Sequence, residues 1–257
     1  MKDTTAVVTG AAGGIGAAVA HALAARGATL ALLDRDAERL DATAARLRQA
    51  GHRATAYPLD VTSSTEVDTV IDAVETQLGP VERLVNAAGV LRTGTVTAFT
   101  DEDWQTTFAV NTTGVFHVSR AVVRKMTPRR RGALVTIASN AATAARMDMA
   151  AYAASKAAAS MFTKCLGLES AAHGIRCNIV APGSTDTPML TSLWADEDAA
   201  RTASIEGVPH AFRVGIPLAR VASPQDVADA VLFLLSDEAA HITMHHLTVD
   251  GGAALGA

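Results

Sequence analysis

The run Thr5-Ala-Val-Val-Thr-Gly10 leads without interruption into Gly10-Ala-Ala-Gly-Gly14-Ile-Gly16 and then into an amphipathic stretch from Ile15 to Arg26. Few architectures accept a buried strand, a glycine turn and a helix in that order. Glycine lets the backbone turn tightly and come close to a ligand, and the helix that follows presents free N–H groups at its positive end. The segment therefore predicts a cradle for a pyrophosphate, with Gly10, Gly14, Ile15 and Gly16 along it. A second apolar run, Ala28-Thr-Leu-Ala-Leu-Leu33, ends in Asp34, where a carboxylate can accept hydrogen bonds from an adenosine ribose. That carboxylate favours NAD, because it repels the 2′-phosphate of NADP. Arg35, beside it, could cover such a phosphate and points the other way.

The rest of the chain continues the alternation. Strand-like segments at Arg53 to Leu59, Arg83 to Val85, Ala133 to Ala138, Ile175 to Val180 and Leu247 to Val249 are separated by helical ones. The helices run from Ser64 to Leu78, through Trp104 and Val118, around Tyr152, and from Pro224 to Leu235; Met189 to Arg213 is rich in acidic and small residues. Ser63-Ser-Thr-Glu66 has the form of a capping box, and Gly79-Pro80 is a stop. This pattern predicts the α/β class: a single-domain, doubly wound (Rossmann) parallel sheet with helices on both faces. With 257 residues and 49% hydrophobic content the chain can bury one large core, and no linker-like stretch divides it. Ligands of such sheets bind beyond the carboxyl ends of the strands. Gly10 to Gly16, Asp34, Asp60, Asn86 to Gly89, Ser139 and Pro182 to Thr187 each follow a strand, so all are expected at that edge.

Tyr152 and Lys156 lie four apart in Ala150-Ala-Tyr-Ala-Ala-Ser-Lys156, in a chain with only two tyrosines. On a helix that spacing puts phenol and ammonium on one face. A fixed cation favours the phenolate and lowers a tyrosine pKa from its usual value of about 10, so that the oxygen can take a proton from an alcohol. The formal net charge of −4 gives no reason to expect nucleic acid or an anionic membrane as partner. Met1-Lys-Asp3 leaves no room for a signal peptide, and no apolar run reaches membrane-spanning length, which predicts a cytoplasmic location. Cys165 and Cys177 are expected as buried small apolar groups, and the eight histidines have no ligand spacing, so no metal is expected.

Taken together, Thr9-Gly10-x-x-x-Gly14-Ile-Gly16, Asn86-Ala-Ala-Gly89, Asn111, Ser139, Tyr152-x-x-x-Lys156 and Pro182-Gly183 resemble the short-chain dehydrogenase/reductase family over the whole chain. The resemblance implies that Tyr152 is the catalytic acid/base. It makes Lys156 the residue that lowers the Tyr152 pKa and holds the nicotinamide ribose, Ser139 the one that orients the substrate oxygen, and Asn111 the support of a proton relay through water. It also implies that Asp60 meets the adenine, that Asn86, Ala87 and Gly89 line the cofactor, and that Thr187 reaches the nicotinamide carboxamide. Val61, Pro182, Gly183 and Thr185 complete the cofactor-binding set. Ala87 stands where many relatives have a second asparagine.

Within the family, several stretches are most similar to the enzymes that oxidise 2,3-dihydro-2,3-dihydroxybenzoate, completing the catechol acid of certain siderophores. They are Leu84 to Arg92, Asp103 to Asn111, Arg176-Cys-Asn, Pro182 to Thr187, Val249 to Gly252 and Leu255-Gly-Ala257. The resemblance implies NAD-dependent oxidation at C3 of a small anionic cyclohexadiene carboxylate. Arg146 matches an arginine of that subgroup and Arg92 follows the cofactor-lining loop; a guanidinium can grip a carboxylate with two parallel hydrogen bonds. Met189, Leu190 and Trp194 are expected as an apolar lid over the ring. Three alternatives stay open: a trans-2,3-dihydro-3-hydroxyanthranilate dehydrogenase giving 3-hydroxyanthranilate, an NADPH-dependent ketoacyl reductase using Arg129 to Arg131 as a docking patch, and a non-catalytic nucleotide-binding protein. The family resemblance further implies a homotetramer, joined through the helices around Trp104 to Arg124 and Tyr152 to Leu168 and through the C-terminal strand.

Overall fold

The computed structural model describes residues 1–193 and 196–256. The chain runs β1 (Thr5–Thr9), α1 (Gly14–Ala25), β2 (Thr29–Asp34), α2 (Ala37–Gln49), β3 (Ala54–Pro58), α3 (Ser64–Leu78) and β4 (Val81–Asn86). It continues through α4 (Asp101–Phe108), α5 (Val115–Arg129), β5 (Gly132–Ile137), α6 (Ala150–Ser170) and β6 (Ile175–Pro182). After α7 (Pro188–Thr191) and α8 (Glu197–Glu206) comes a short antiparallel hairpin, β7 (Gly207–Val208) and β8 (Arg213–Val214), and then α9 (Pro224–Leu235) and β9 (His246–Val249). Seven strands form one parallel sheet in the order β3-β2-β1-β4-β5-β6-β9.

Neighbouring residues of one strand serve opposite cores, which is why these strands read as unbroken apolar runs rather than alternating ones. Val8 packs with Leu23, Leu32, Val231 and Leu235 on the face covered by α1 and α9. Val7 packs with Leu33, Ile71, Leu84 and Met126 on the face covered by α3 and α5. Each large side chain removed from water in this way contributes roughly 1.5–3 kcal/mol. β1 pairs with β2 on one side, Val8 opposite Leu32, and with β4 on the other, Val8 opposite Val85. The chain winds outward in both directions from that pair, so a crevice opens beyond its carboxyl ends.

Two local expectations are modified. Ser63 caps α3 by accepting from the Glu66 N–H, but the Glu66 carboxylate accepts from the Asp60 N–H rather than closing the box on Ser63. The reciprocal box occurs instead at the start of α9, between Ser223 and Asp226. Cys177 is buried, and burial pushes its thiol up to about 12, whereas Cys165 is exposed. α6 turns Ser155, Ala159, Thr163 and Gly167 inward, which leaves Cys165 on the opposite face with Met161 and Leu168.

Candidate active site

A cavity of about 740 Å³ occupies the crevice. Gly10, Gly14, Ile15, Gly16, Asp34, Arg35, Asp60, Val61, Ala87, Gly89, Ser139, Arg146, Tyr152, Lys156, Pro182, Gly183, Thr185, Thr187 and Met189 all line it. Asn86, Asn111 and Arg92 do not, and Trp194 lies outside the described residues.

One end is the glycine turn. Gly10 has φ +68°, and a Cβ there would stand 2.7 Å from the Ala87 carbonyl oxygen, so the turn is closed to any side chain. α1 starts at Gly14 with no side-chain cap and no acidic residue in its first turn. Its leading N–H groups therefore need an acceptor, which a pyrophosphate supplies. Asp34 is fixed at the end of β2 by the Ala12 N–H on Oδ2 and the Asp36 N–H on Oδ1, both at 3.1 Å. Each carboxylate oxygen keeps a lone pair for a ribose hydroxyl. These residues fit a dinucleotide. Arg39, which the sequence did not single out, also lines the cavity, its guanidinium placed against Gly13.

The middle of the cavity holds Tyr152, Lys156 and Ser139. Tyr152 and Lys156 share the inner face of α6, 8% and 4% exposed, with Lys156 Nζ 5.8 Å from the tyrosine ring centre. Ser139 follows β5 in extended conformation and hydrogen-bonds to Tyr152. The expected lowering of the Tyr152 pKa does not result. Burial raises it, and the Ser139 hydrogen bond opposes burial without reversing it. Lys156 donates to the Ile137 carbonyl at the end of β5, at 2.9 Å, and burial pulls its own pKa down to about 8. The sequence shows that the two groups are neighbours; it does not show that both are desolvated.

Asn111 stands behind this group. It lies in a wider, π-helical turn (Ala109–Gly114) joining α4 to α5, a form of helix often found beside functional sites. Its Oδ1 accepts from the Val90 N–H at 2.8 Å, and its Nδ2 donates to the Val90 carbonyl at 2.9 Å and to Ser155 Oγ at 3.0 Å. Ser155 in turn donates to the Tyr152 carbonyl at 2.7 Å. Asn111 thus ties the loop after β4 to the helix that carries Tyr152. Asn86 is corrected outright: its side chain points away from the cavity, donating to Ser119 Oγ at 2.9 Å and to Thr136 Oγ1 at 3.4 Å. Strand pleating sends Asn86 into the core while Ala87, Ala88 and Gly89 reach the cavity wall. A further brace, Asp250, accepts from Asn140 Nδ2 at 3.1 Å and packs where a Gly183 Cβ would be.

The far end is apolar with cations in it. Met147, Met149, Met189, Leu190 and Leu193 line it beside Arg146. Arg92 is elsewhere, half exposed and paired with Asp103 through Nε at 3.4 Å, so its charge serves the surface. Arg213 of β8 takes the place that the sequence reading gave Arg92. No periodicity marks it; a positive residue next to the αL turn at Phe212 is its only local signal.

Residues 4–198 match the family described as short chain dehydrogenase. A "2,3-dihydro-2,3-dihydroxybenzoate dehydrogenase" of Bacillus subtilis (strain 168) is 54% identical over 256 residues, covering 100% of this chain and 98% of the relative. A protein of the same name from Escherichia coli (strain K12) is 41% identical over 250 residues, 97% of this chain and 96% of the relative. Among solved structures, levodione reductase superposes with a TM-score of 0.91 at 28% identity, covering 100% of both chains. By matched sequence, sheet order and the residues gathered beyond the strands, the chain belongs to the short-chain dehydrogenase family.

Proposed function

We propose that this protein oxidises the C3 carbinol of 2,3-dihydro-2,3-dihydroxybenzoate to give 2,3-dihydroxybenzoate, with NAD as cofactor. The observation that carries this reading is one cavity holding the Tyr152–Ser139 pair and, beyond it, the Arg146 guanidinium among apolar side chains. Such a wall suits a flat ring bearing both an alcohol and a carboxylate. Two relatives named for that oxidation support it.

When bound, the nicotinamide supplies the redox chemistry, taking the hydride from the carbinol carbon. Tyr152 Oη, as phenolate, removes the hydroxyl proton. Ser139 Oγ holds the same oxygen and the phenol in line, and the Lys156 ammonium favours the phenolate once the cavity is filled and water is excluded. Asn111 keeps α6 and the Val90 loop in register. The dienone so formed tautomerises to the phenol, and aromatisation drives the oxidation forward.

Asp34 sets the cofactor: it accepts from the ribose and repels a 2′-phosphate, while Arg35 and Arg39 stand close enough to serve one if the carboxylate goes. Asp34→Ser should therefore narrow the preference for NAD over NADP by at least about tenfold in kcat/KM, roughly 1.4 kcal/mol. An unchanged ratio would remove Asp34 from cofactor selection.

A ketoacyl reductase is disfavoured because its docking patch is already engaged. Arg129 pairs with Glu75 at 2.8 Å, Arg131 with Glu82 at 3.1 Å, and Arg130 donates to the Ala172 carbonyl at 2.6 Å. The amino counterpart at C2 shares every group that the site addresses. Parallel assays with NAD on the diol and on the 2-amino acid separate them; a kcat/KM advantage for the amine moves the protein to 3-hydroxyanthranilate supply. We further propose a cytoplasmic homotetramer, supported by apolar Trp104, Phe116, Met161 and Leu168 on the outer faces of α4 to α6.

A further inference from the structure

We propose that Arg213 is a specificity-determining residue which, from the β7–β8 hairpin, holds the substrate's carboxylate together with Arg146. This inference rests on the proposed oxidation of a carboxylate-bearing ring and assigns the recognition of that carboxylate to the β7–β8 hairpin.

Arg213 and Arg146 come from distant parts of the chain, line the same cavity and stand close enough for their charges to interact. Arg213 is partly buried; burial lowers its pKa and the charge of Arg146 lowers it further, so the two cations act on each other. Among the described residues neither makes an ion pair with a carboxylate, Asp148 of the Arg146 loop included. Arg201, on the neighbouring helix α8, is by contrast held by Asp186 at 2.9 Å and by Glu197 at 3.6 Å. Two partly buried guanidiniums without an anion cost free energy, which a carboxylate between them relieves.

The position of Arg213 is built in. Its Nη2 donates to Ser184 Oγ at 3.0 Å, one residue after Gly183 of the cofactor wall, and the remaining N–H groups of the fork are left for a ligand. At the base of the hairpin the Ile216 N–H donates to the Ile205 carbonyl at 2.8 Å. Gly207 has φ +91°, and a Cβ there would lie 2.6 Å from the Arg213 carbonyl oxygen, so the hairpin closes only on glycine. The bland alternative is that Arg213 merely latches the hairpin to Ser184. A latch serves every substrate equally; an anion clamp serves only the acid.

The test compares 2,3-dihydro-2,3-dihydroxybenzoate with its neutral carboxamide in wild type, Arg213→Met and Arg213→Lys, with NAD affinity measured in each. Arg213→Met should lower kcat/KM for the acid roughly 10- to 100-fold, mainly through KM, leave the carboxamide within about threefold, and leave NAD affinity unchanged. Arg213→Lys should recover part of the loss. Equal losses on acid and amide, or no loss, overturn the proposal. If the methionine variant fails to fold, Ser184→Ala replaces it: a KM rise confined to the acid supports the clamp, and a loss shared by the amide contradicts it. If wild type does not oxidise the acid, the proposed reaction fails, and Arg213 is judged by calorimetric titration of 2,3-dihydroxybenzoate into the NAD-loaded protein. Binding that Arg213→Met weakens at least about tenfold sustains it; no binding to wild type, or equal binding, ends it.

Discussion

Tyr152→Phe should lower kcat for the oxidation by roughly 100- to 10,000-fold while leaving NAD affinity nearly unchanged. The ring stays: Tyr152 is buried on the inner face of α6, and phenylalanine fills the same space. Only Oη and its hydrogen bond to Ser139 are lost. Wild-type kcat/KM should also rise as the pH is raised toward about 8, because the phenol is the protonated, inactive form and burial holds its pKa up; above that the rise should flatten as Lys156 loses the ammonium that favours the phenolate. In the variant that rise should vanish along with the turnover. Steady-state kinetics over a pH series, with NAD binding followed by fluorescence, reads both effects. Turnover near the wild-type rate, or a wild-type profile that is flat, would take Tyr152 out of the proton path.

Gly16→Ala should all but abolish cofactor binding, weakening NAD affinity by about 100-fold or more and lowering stability by roughly 1–3 kcal/mol. An added Cβ would collide with the Gly10 carbonyl oxygen and lie 2.7 Å from its carbon, both backbone atoms. Gly10 has little room to retreat, since even a Cβ added to it would stand 2.7 Å from backbone atoms of Ala87 and Ala88. The start of α1 must therefore swing away from the turn, which separates the free N–H groups from the place where the pyrophosphate would lie. Gly51→Ala is the control. It has φ +84° with nothing within 4 Å of the added methyl, so it should cost about 1–2 kcal/mol of backbone strain and no NAD affinity. A Gly16→Ala protein that binds NAD like wild type would show that the turn is not the cofactor cradle.

The sheet was legible in the sequence because both its faces are covered. Strands such as Thr29–Asp34 are apolar without alternation, and glycines mark where the backbone must turn back on itself. Tyr152 and Lys156 were equally plain, since a spacing of four fixes a shared helical face whatever surrounds it. Side-chain direction at a strand end was not. Asn86 is the last residue of β4, and only the pleat decides that it joins Ser119 and Thr136 in the core. Arg92 and Arg213 show the same limit for charge. Arg92 meets Asp103 through the fold of the loop before α4, and Arg213 reaches the cavity only once a two-residue strand has paired with another. On α6 the buried face carries serine, threonine and glycine rather than large apolar groups, so composition could not tell that Cys165 faces outward. The rise in the Tyr152 pKa is of the same kind, for desolvation belongs to the packed site and not to the pair.

The most direct measurement is product identification after purified protein is incubated with NAD and 2,3-dihydro-2,3-dihydroxybenzoate. The expected result is 2,3-dihydroxybenzoate and reduced cofactor formed one for one, with NAD far better than NADP. No oxidation of the acid, together with NADPH-dependent reduction of a ketoacyl thioester, would contradict the reading of this cavity as a site for an anionic ring alcohol.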